Sequence, residues 1–214
     1  MEKRKFAIGI VGTSGSGKSY LTSKMADFFA DKVAMKTAIF NLDNYFIERD
    51  RQPIDANGHY NFDTPDSLDL KQYEIDFFNL LAGKSVSQKV YNYNNPMAEN
   101  PIEKFIEIEP RDIIIAEGIF TFYNQAIRKR FDFRIFVESP DEICLKRRLQ
   151  RDFEERGYPA SDVLYKFANH LAPAFKKYVE PMREKSHYVF KNEEDNFEDE
   201  FRKLTSKLIK IINQ

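Results

Sequence analysis

Apolar residues along the chain form two patterns, short unbroken runs and longer stretches in which they recur with a helical period. Unbroken runs are typical of parallel strands buried on both faces, and they predict strands at residues 6–11, 37–42, 112–116, 133–137 and 188–190. Apolar side chains recur on one helical face in residues 21–29, 70–81 and 197–211. This alternation predicts a three-layer α/β sandwich with a mainly parallel five-stranded sheet.

One stretch departs from the alternation of strands and helices. Residues 86–93 and 103–109 each have strand character and flank a polar, Asn-rich link. We interpret the region of about 84–110 as a β-hairpin arm inserted beside the carboxyl edge of the sheet.

Length and composition narrow the class of protein. A chain of 214 residues is expected to form a single domain over 1–214. The formal net charge of -1 argues against attachment to nucleic acid or to a membrane by bulk charge. The single cysteine, Cys144, excludes an internal disulfide and a multi-cysteine zinc site. No apolar window is long enough for a membrane span, and we expect a cytoplasmic protein.

A phosphate-binding motif follows the first predicted strand. Residues 12–19 match G-x-x-x-x-G-K-[ST] in full, between an apolar strand and an amphipathic helix. In this motif backbone N–H groups surround a polyphosphate, the lysine reaches the β- and γ-phosphates, and the hydroxyl binds Mg²⁺. We therefore expect ATP as phosphate donor, Mg²⁺, and a nucleotide site made of Gly12, Thr13, Ser14, Gly15, Ser16, Gly17, Lys18 and Ser19.

Carboxylates follow two other predicted strands. Asp43 comes after the second strand and Glu117 after the third. Ligands bind beyond the carboxyl ends of the strands in such sheets, so both residues are candidates for holding Mg²⁺ or taking a proton from an attacking hydroxyl. The alternatives are a turn or a helix N-cap for Asp43 and a solvated strand-end charge for Glu117.

Arginines are concentrated after the fourth strand. Residues 139–142 read as a capping box with Pro140 at the first helical position, which predicts a helix to about Glu155. This helix carries Arg148 and Arg151, and Arg156 and Gly157 follow it. Arginines beside a polyphosphate stabilise charge during phosphoryl transfer, so we interpret residues 147–160 as a lid. The alternative is a solvated basic face paired with neighbouring acids.

Together these segments resemble the uridine (uridine–cytidine) kinase family of P-loop kinases, which phosphorylate the 5′-hydroxyl of a pyrimidine ribonucleoside. The resemblance runs from about residue 6 to residue 190. The segments that carry it are GTSGSGKS, LDNYF, GHYNFDTPDSLD, VYNYN, AEGIFTFYNQAIR, RRLQRDFEERG and HLAPAFKKYVEPMREK. The third is the most distinctive, because phosphate binding alone does not require it.

The resemblance implies a role for each matching residue. The catalytic residues would be Asp43 as the base, Lys18, and the lid arginines Arg151 and Arg156. Metal ligands would be Ser19, Asp43 and Glu117. The substrate-binding residues would be Asp63 on the ribose hydroxyls, Arg148 on the sugar side, Tyr91 facing the base, and Phe62. Similar enzymes are often tetramers, so a homo-oligomer is also expected.

Departures from the family pattern are confined to the residues that would read the base. Family members usually have a histidine and a basic residue in the arm, whereas residues 94–100 here contain neither. Tyr158 and Lys166 stand where the family often has Arg and Gln. We expect a kinase acting on uridine or cytidine, with two alternatives. These are a related kinase with another hydroxylated acceptor, and a regulatory module that binds ATP.

Overall fold

A computed structural model of the chain describes residues 5–93, 103–193 and 195–213. The strands are β1 (Phe6–Gly12), β2 (Thr37–Asn41), β3 (Val86–Lys89), β4 (Phe105–Ile108), β5 (Ile113–Glu117), β6 (Phe133–Glu138) and β7 (Tyr188–Lys191). The α-helices are α1 (Lys18–Val33), α2 (Leu70–Leu81), α3 (Gln125–Arg128), α4 (Asp141–Glu154), α5 (Ala160–Lys166), α6 (Ala172–Ala174) and α7 (Phe197–Ile212).

Five strands form one parallel sheet in the order β2-β5-β1-β6-β7. The five strand predictions are confirmed to within one residue at each end. The agreement has a physical cause, because the central strands are buried on both faces and carry apolar side chains along most of their length. All five residues of β5, for example, are buried.

Apolar side chains cover both faces of the sheet. Leu21, Met25 and Phe29 of α1 pack on one face with side chains of α7. On the other face Tyr73 and Phe77 of α2 pack with buried side chains from residues 119–136 and 171–182. Two apolar cores separated by a sheet are a three-layer sandwich, so the predicted fold class is confirmed.

The capping box predicted at residues 139–142 is wrong. Helix α4 begins at Asp141, with Pro140 as its N-cap and no side-chain hydrogen bond at that end. Pro140 has an extended ψ of 140°, which places it outside the helix. Ser139 therefore does not cap the helix, and its buried hydroxyl has no hydrogen-bond partner among the described residues.

Strands β3 and β4 form the predicted antiparallel hairpin, with Val86 opposite Ile108. Gln88 of β3 fixes the hairpin to the end of β2. Its amide donates to the Asn41 carbonyl at 2.9 Å and accepts from the Asn44 amide at 2.8 Å. The arm is thus joined to the residues that immediately follow β2, which include Asp43.

A continuous helical segment runs from α5 to residue 182. It contains two π-helical turns, Phe167–Leu171 and Phe175–Val179, on either side of α6, and it ends in a 3₁₀ turn at Glu180–Met182. Among residues 5–93, 103–193 and 195–213, no helix has the combined length and apolar character needed to cross a bilayer.

Candidate active site

The loop between β1 and α1 has the geometry of an anion cradle. Gly15 and Gly17 have φ angles of 84° and 94°, in the left-handed region that favours glycine. A Cβ on Gly15 would also collide with the carbonyl of Cys144. Helix α1 starts at Lys18 without a side-chain cap, so its first N–H groups have no side-chain acceptor. A phosphate at this helix end would satisfy them.

Lys18 lies at the centre of the charged groups. Its ammonium donates to the Thr13 carbonyl at 3.0 Å. Burial lowers the pKa of Lys18, and the nearby carboxylates of Glu117 and Asp43 act in the opposite direction. The structure thus brings together three residues that the sequence places after three different strands.

Ser19 and Glu117 form a pair of oxygen donors beside Lys18. The Ser19 hydroxyl donates to Glu117 Oε1 at 2.8 Å, and Glu117 is only 4% exposed. Burial raises the pKa of Glu117, against the opposing effect of the Lys18 charge. A hydroxyl and carboxylates are the hard donors that Mg²⁺ prefers, together with substrate phosphates. The donor set of Ser19, Glu117 and Asp43 therefore fits Mg²⁺.

Asp43 lies in a short 3₁₀ turn, Leu42–Tyr45, directly beyond β2. Asn41, rather than Asp43, caps this turn, by accepting from the Asp43 N–H at 2.8 Å. The Asp43 carboxylate lines the same cavity as Lys18, and its Oδ2 accepts a hydrogen bond from Tyr93 at 3.1 Å. Burial and the Asp43 charge raise the pKa of Tyr93 well above its usual value, so Tyr93 is a donor here.

Asp152 holds the arginines that follow β6. It accepts from Arg148 at 3.3 Å and Arg151 at 2.8 Å, and it lies 3.2 Å from Arg156. Asp152 is 3% exposed, so its charge compensates guanidinium groups that would otherwise repel one another. The arginines face the nucleotide loop, since Arg151 donates to the Ser14 hydroxyl at 3.4 Å. The sequence suggests no more than a surface ion pair for Asp152.

We expect Asp152→Asn to lower kcat roughly tenfold or more, because the arginines lose the charge that fixes their positions. The variant should also have a lower Tm, since it removes the carboxylate that compensates the buried Arg148 and the half-buried Arg151 and Arg156. Steady-state kinetics and thermal denaturation test both effects. Glu154→Gln on the same helix, where the carboxylate is exposed, is the matched control. Equal kcat values for the two variants would contradict this role.

Asp63 and Arg148 come together as the sequence predicts. Arg148 Nη2 lies 3.8 Å from Asp63 Oδ2, and both residues are buried. Asn61 forms the local turn by accepting from the Asp63 N–H at 2.9 Å, which leaves the Asp63 carboxylate to face the cavity. Arg148 Nη1 is buried and has no hydrogen-bond partner among the described residues. The pair therefore offers an acceptor and a spare donor to a bound molecule.

Aromatic rings line part of the cavity that Asp63 faces. Phe46 packs against Phe62, Tyr91 and Tyr93, with ring centroids 5.3 to 6.1 Å apart. Together with the charged groups, these rings enclose a cavity of about 580 Å³ that also reaches Lys18 and Glu117. Every predicted side chain with a catalytic, metal or substrate role lines this cavity: Lys18, Ser19, Asp43, Phe62, Asp63, Tyr91, Glu117, Arg148, Arg151 and Arg156.

Tyr158 and Lys166, two of the residues that depart from the family pattern, also line this cavity. The Tyr158 hydroxyl accepts from Arg49 at 3.0 Å, and the Lys166 ammonium lies 4.9 Å from the centroid of the Tyr158 ring. Lys166 also pairs with Asp162 at 2.8 Å. The altered arm segment, residues 94–100, lies outside the described residues.

A polar cluster outside the cavity joins the loop before Asp63 to the helical segment after the lid. Asp55 Oδ2 accepts from the Tyr165 hydroxyl at 2.8 Å and lies 2.7 Å from His170 Nε2. Asn57 donates to the Tyr165 hydroxyl at 2.6 Å, and the His59 ring stacks on Tyr165. Spacing along the chain gives no signal for this cluster, because its two parts, residues 55–59 and 165–170, are more than a hundred residues apart.

The family profile and the curated relatives that match this chain all point to the same protein family. The profile of the phosphoribulokinase/uridine kinase family matches residues 7–197. The uridine kinase of Lactobacillus helveticus is 30% identical over 207 residues, which are 97% of this chain and 95% of that protein. Uridine-cytidine kinase B of Dictyostelium discoideum is 29% identical over 194 residues, 91% of this chain and 77% of that protein.

The solved structures agree with this sequence similarity. A structure described as a possible uridine kinase from Bacillus stearothermophilus has a TM-score of 0.64 and 19% identity, and the match covers 89% of this chain and 90% of that one. At this identity the likeness shows a shared fold. The family profile and the curated relatives extend over nearly the whole chain, and this protein belongs to the phosphoribulokinase/uridine kinase family.

Proposed function

We propose that the protein transfers the γ-phosphoryl group of MgATP to the 5′-hydroxyl of a ribonucleoside, with uridine or cytidine as the favoured acceptor. The observation that carries the proposal is a single cavity that joins the nucleotide loop, Asp43 and the Asp63–Arg148 pair. The names of the curated relatives, uridine kinase and uridine-cytidine kinase, support the same acceptor class.

Each charged group has a proposed role in the transfer. As the acceptor oxygen bonds to the γ-phosphorus, Asp43 takes its proton, the bond from that phosphorus to the bridging oxygen breaks, and ADP leaves. Lys18, Arg151 and Arg156 stabilise the charge on the transferring group. Ser19, Asp43 and Glu117 would hold Mg²⁺, which supplies further neutralisation of the phosphate charge when bound.

The adenine ring has a proposed place in a second groove beside the nucleotide loop. Gly17, Tyr20, Arg147 and Asn192 line this groove. Asn192 donates to the Ser16 carbonyl at 2.6 Å, so the chain beyond β7 is fixed against the loop. The Arg147 guanidinium is available to stack on a planar ring, because such groups pack readily on aromatic faces.

The Asp63–Arg148 pair favours a ribose-like diol over a simple alcohol. A carboxylate accepts hydrogen bonds from two adjacent hydroxyls, and Arg148 donates to their oxygens. We expect Asp63→Ala to raise the acceptor KM by roughly tenfold to a hundredfold, the range for losing a hydrogen bond to a charged group. The KM for ATP should change little.

Steady-state kinetics with each substrate varied in turn test this expectation. Asp66→Ala, an exposed carboxylate in the next turn of the chain, is the control. If the KM values for acceptor and ATP rise together in Asp63→Ala, the diol assignment is wrong.

The proposed reaction is tested most directly by ADP release from MgATP with a panel of ribonucleosides and deoxyribonucleosides. We expect strong stimulation by uridine and cytidine, and weaker stimulation by 2′-deoxyuridine, which lacks one hydroxyl of the diol. If only a sugar phosphate stimulates release, the proposed transfer chemistry stands and the acceptor is a sugar phosphate, as the phosphoribulokinase part of the family name suggests. ADP release that no acceptor stimulates would contradict a kinase and favour an ATP-binding regulatory module.

The homo-oligomer stays a prediction, and light scattering of the purified protein tests it.

A further inference from the structure

Tyr93 connects three parts of the site that the chain brings from distant positions. Its hydroxyl donates to Asp43 Oδ2 at 3.1 Å. Its ring lies under the guanidinium of Arg156, with the central carbon 3.7 Å from the ring centroid. Tyr93 belongs to the arm, Asp43 follows β2, and Arg156 belongs to the lid segment. One side chain therefore contacts both the proposed base and a proposed phosphate-binding arginine.

The position of Tyr93 is fixed from several sides. Its ring packs edge-on against Tyr91, with centroids 4.9 Å apart, and against Phe46. Its backbone carbonyl accepts a hydrogen bond from the Tyr158 hydroxyl at 3.2 Å. A guanidinium stacked on this half-buried ring adds a cation–π attraction to the packing. A side chain held by this many contacts is part of a built site.

From this arrangement we propose that Tyr93 is a positioning residue for phosphoryl transfer. Its hydroxyl fixes the Asp43 carboxylate, and its ring is the surface on which Arg156 is placed. The inference rests on the proposed function, since it takes Asp43 as the base. It adds a physical link between acceptor activation and charge stabilisation at the γ-phosphate, through a residue that neither the motifs nor the family resemblance assigns a role.

The geometry of the hydrogen bond favours positioning over obstruction. Tyr93 bonds to one carboxylate oxygen, Oδ2, and a carboxylate has a second oxygen that accepts equally well. The phenol uses one of the lone pairs of Oδ2, so the carboxylate keeps capacity for Mg²⁺ and can still present Oδ1 to the acceptor hydroxyl in a defined direction. Proton transfer needs a base that is correctly oriented as well as near.

Two substitutions separate the hydroxyl from the ring. Tyr93→Phe removes the bond to Asp43 and retains the surface under Arg156. We expect kcat to fall roughly tenfold, with the KM values for ATP and nucleoside changed less than about twofold. Tyr93→Leu also removes the stacking surface, so we expect a further fall in kcat. A purely structural role would instead lower Tm and leave the kcat of the folded fraction unchanged.

A double-mutant comparison tests the link to Arg156. If Tyr93 positions Arg156, Tyr93→Leu and Arg156→Met remove partly the same interaction. The kcat of the double variant should then fall by a smaller factor than the product of the factors for the two single variants. Tyr93→Phe with Arg156→Met should be closer to multiplicative, because phenylalanine retains the stacking surface. Tyr123→Phe, which removes a phenol that is 40% exposed and outside the cavity, is the matched control.

The outcomes distinguish this inference from the proposed function on which it rests. Loss of turnover in Asp43→Asn with wild-type kcat in Tyr93→Phe would overturn the role of Tyr93 alone. A higher kcat/KM for nucleoside in Tyr93→Phe would show that the phenol competes with the acceptor, and would also overturn it. Retained turnover in Asp43→Asn would remove the base itself, whatever Tyr93 does.

Discussion

Replacing Asp43 with asparagine should lower kcat by on the order of a hundredfold or more and leave ATP binding nearly intact. Asparagine has the shape of aspartate, and its amide oxygen can still accept from Tyr93, which lies 3.1 Å from the Asp43 carboxylate. An amide cannot take the proton of the acceptor hydroxyl, so the loss falls on the chemical step. Steady-state kcat and the Kd for ATP, measured by calorimetry, separate the two effects.

Asp50→Asn provides the comparison for this variant, because it removes an exposed carboxylate seven positions further along the same connection. Its kcat should equal that of the wild type. Turnover retained by Asp43→Asn would remove Asp43 from the role of base. A large loss of ATP affinity at fixed Mg²⁺ would instead assign Asp43 mainly to the metal.

The parts of the fold that could be predicted are those that depend on local pattern. The apolar runs give all five strands of the parallel sheet, because strands that are buried on one or both faces carry mainly apolar side chains. The motif at residues 12–19 gives the phosphate loop, because its glycine φ angles and its lysine are local requirements. Asp43 and Glu117 could be placed near it because the carboxyl ends of parallel strands share one edge.

The residues that sequence analysis missed act through contacts between distant segments. Asp152 looks like a surface acid beside arginines, and only its burial shows that it compensates their charge. Tyr93 looks like an ordinary arm residue, and its bond to Asp43 joins positions 50 residues apart. The capping box predicted at Ser139 is wrong for a local reason. Pro140 is extended, so the helix begins one residue later than the motif predicts.

Replacing Lys18 with methionine is the second change from which we expect a large effect, a fall in kcat of on the order of a hundredfold to a thousandfold. Methionine fills a similar volume, so the loop can retain its shape while losing its buried cation. The developing charge on the γ-phosphoryl group would then lack its nearest compensating ammonium. The Lys18 ammonium now compensates the charges of the Glu117 and Asp43 carboxylates, so these two groups would also lose their shared counter-ion.

The kinetic signature of Lys18→Met should differ from that of Asp43→Asn. Because the proposed function puts Lys18 on the phosphates and Asp43 on the acceptor, Lys18→Met should lower kcat/KM for ATP as well as kcat, whereas Asp43→Asn should retain ATP affinity. Lys32→Met, an exposed lysine in the last turn of the same helix, controls for the loss of a positive charge. Unchanged kcat/KM for ATP in Lys18→Met would mean that the phosphates lie elsewhere. The loop at residues 12–19 would then be a structural turn, and the proposed transfer of a phosphoryl group from ATP bound at this loop would be wrong.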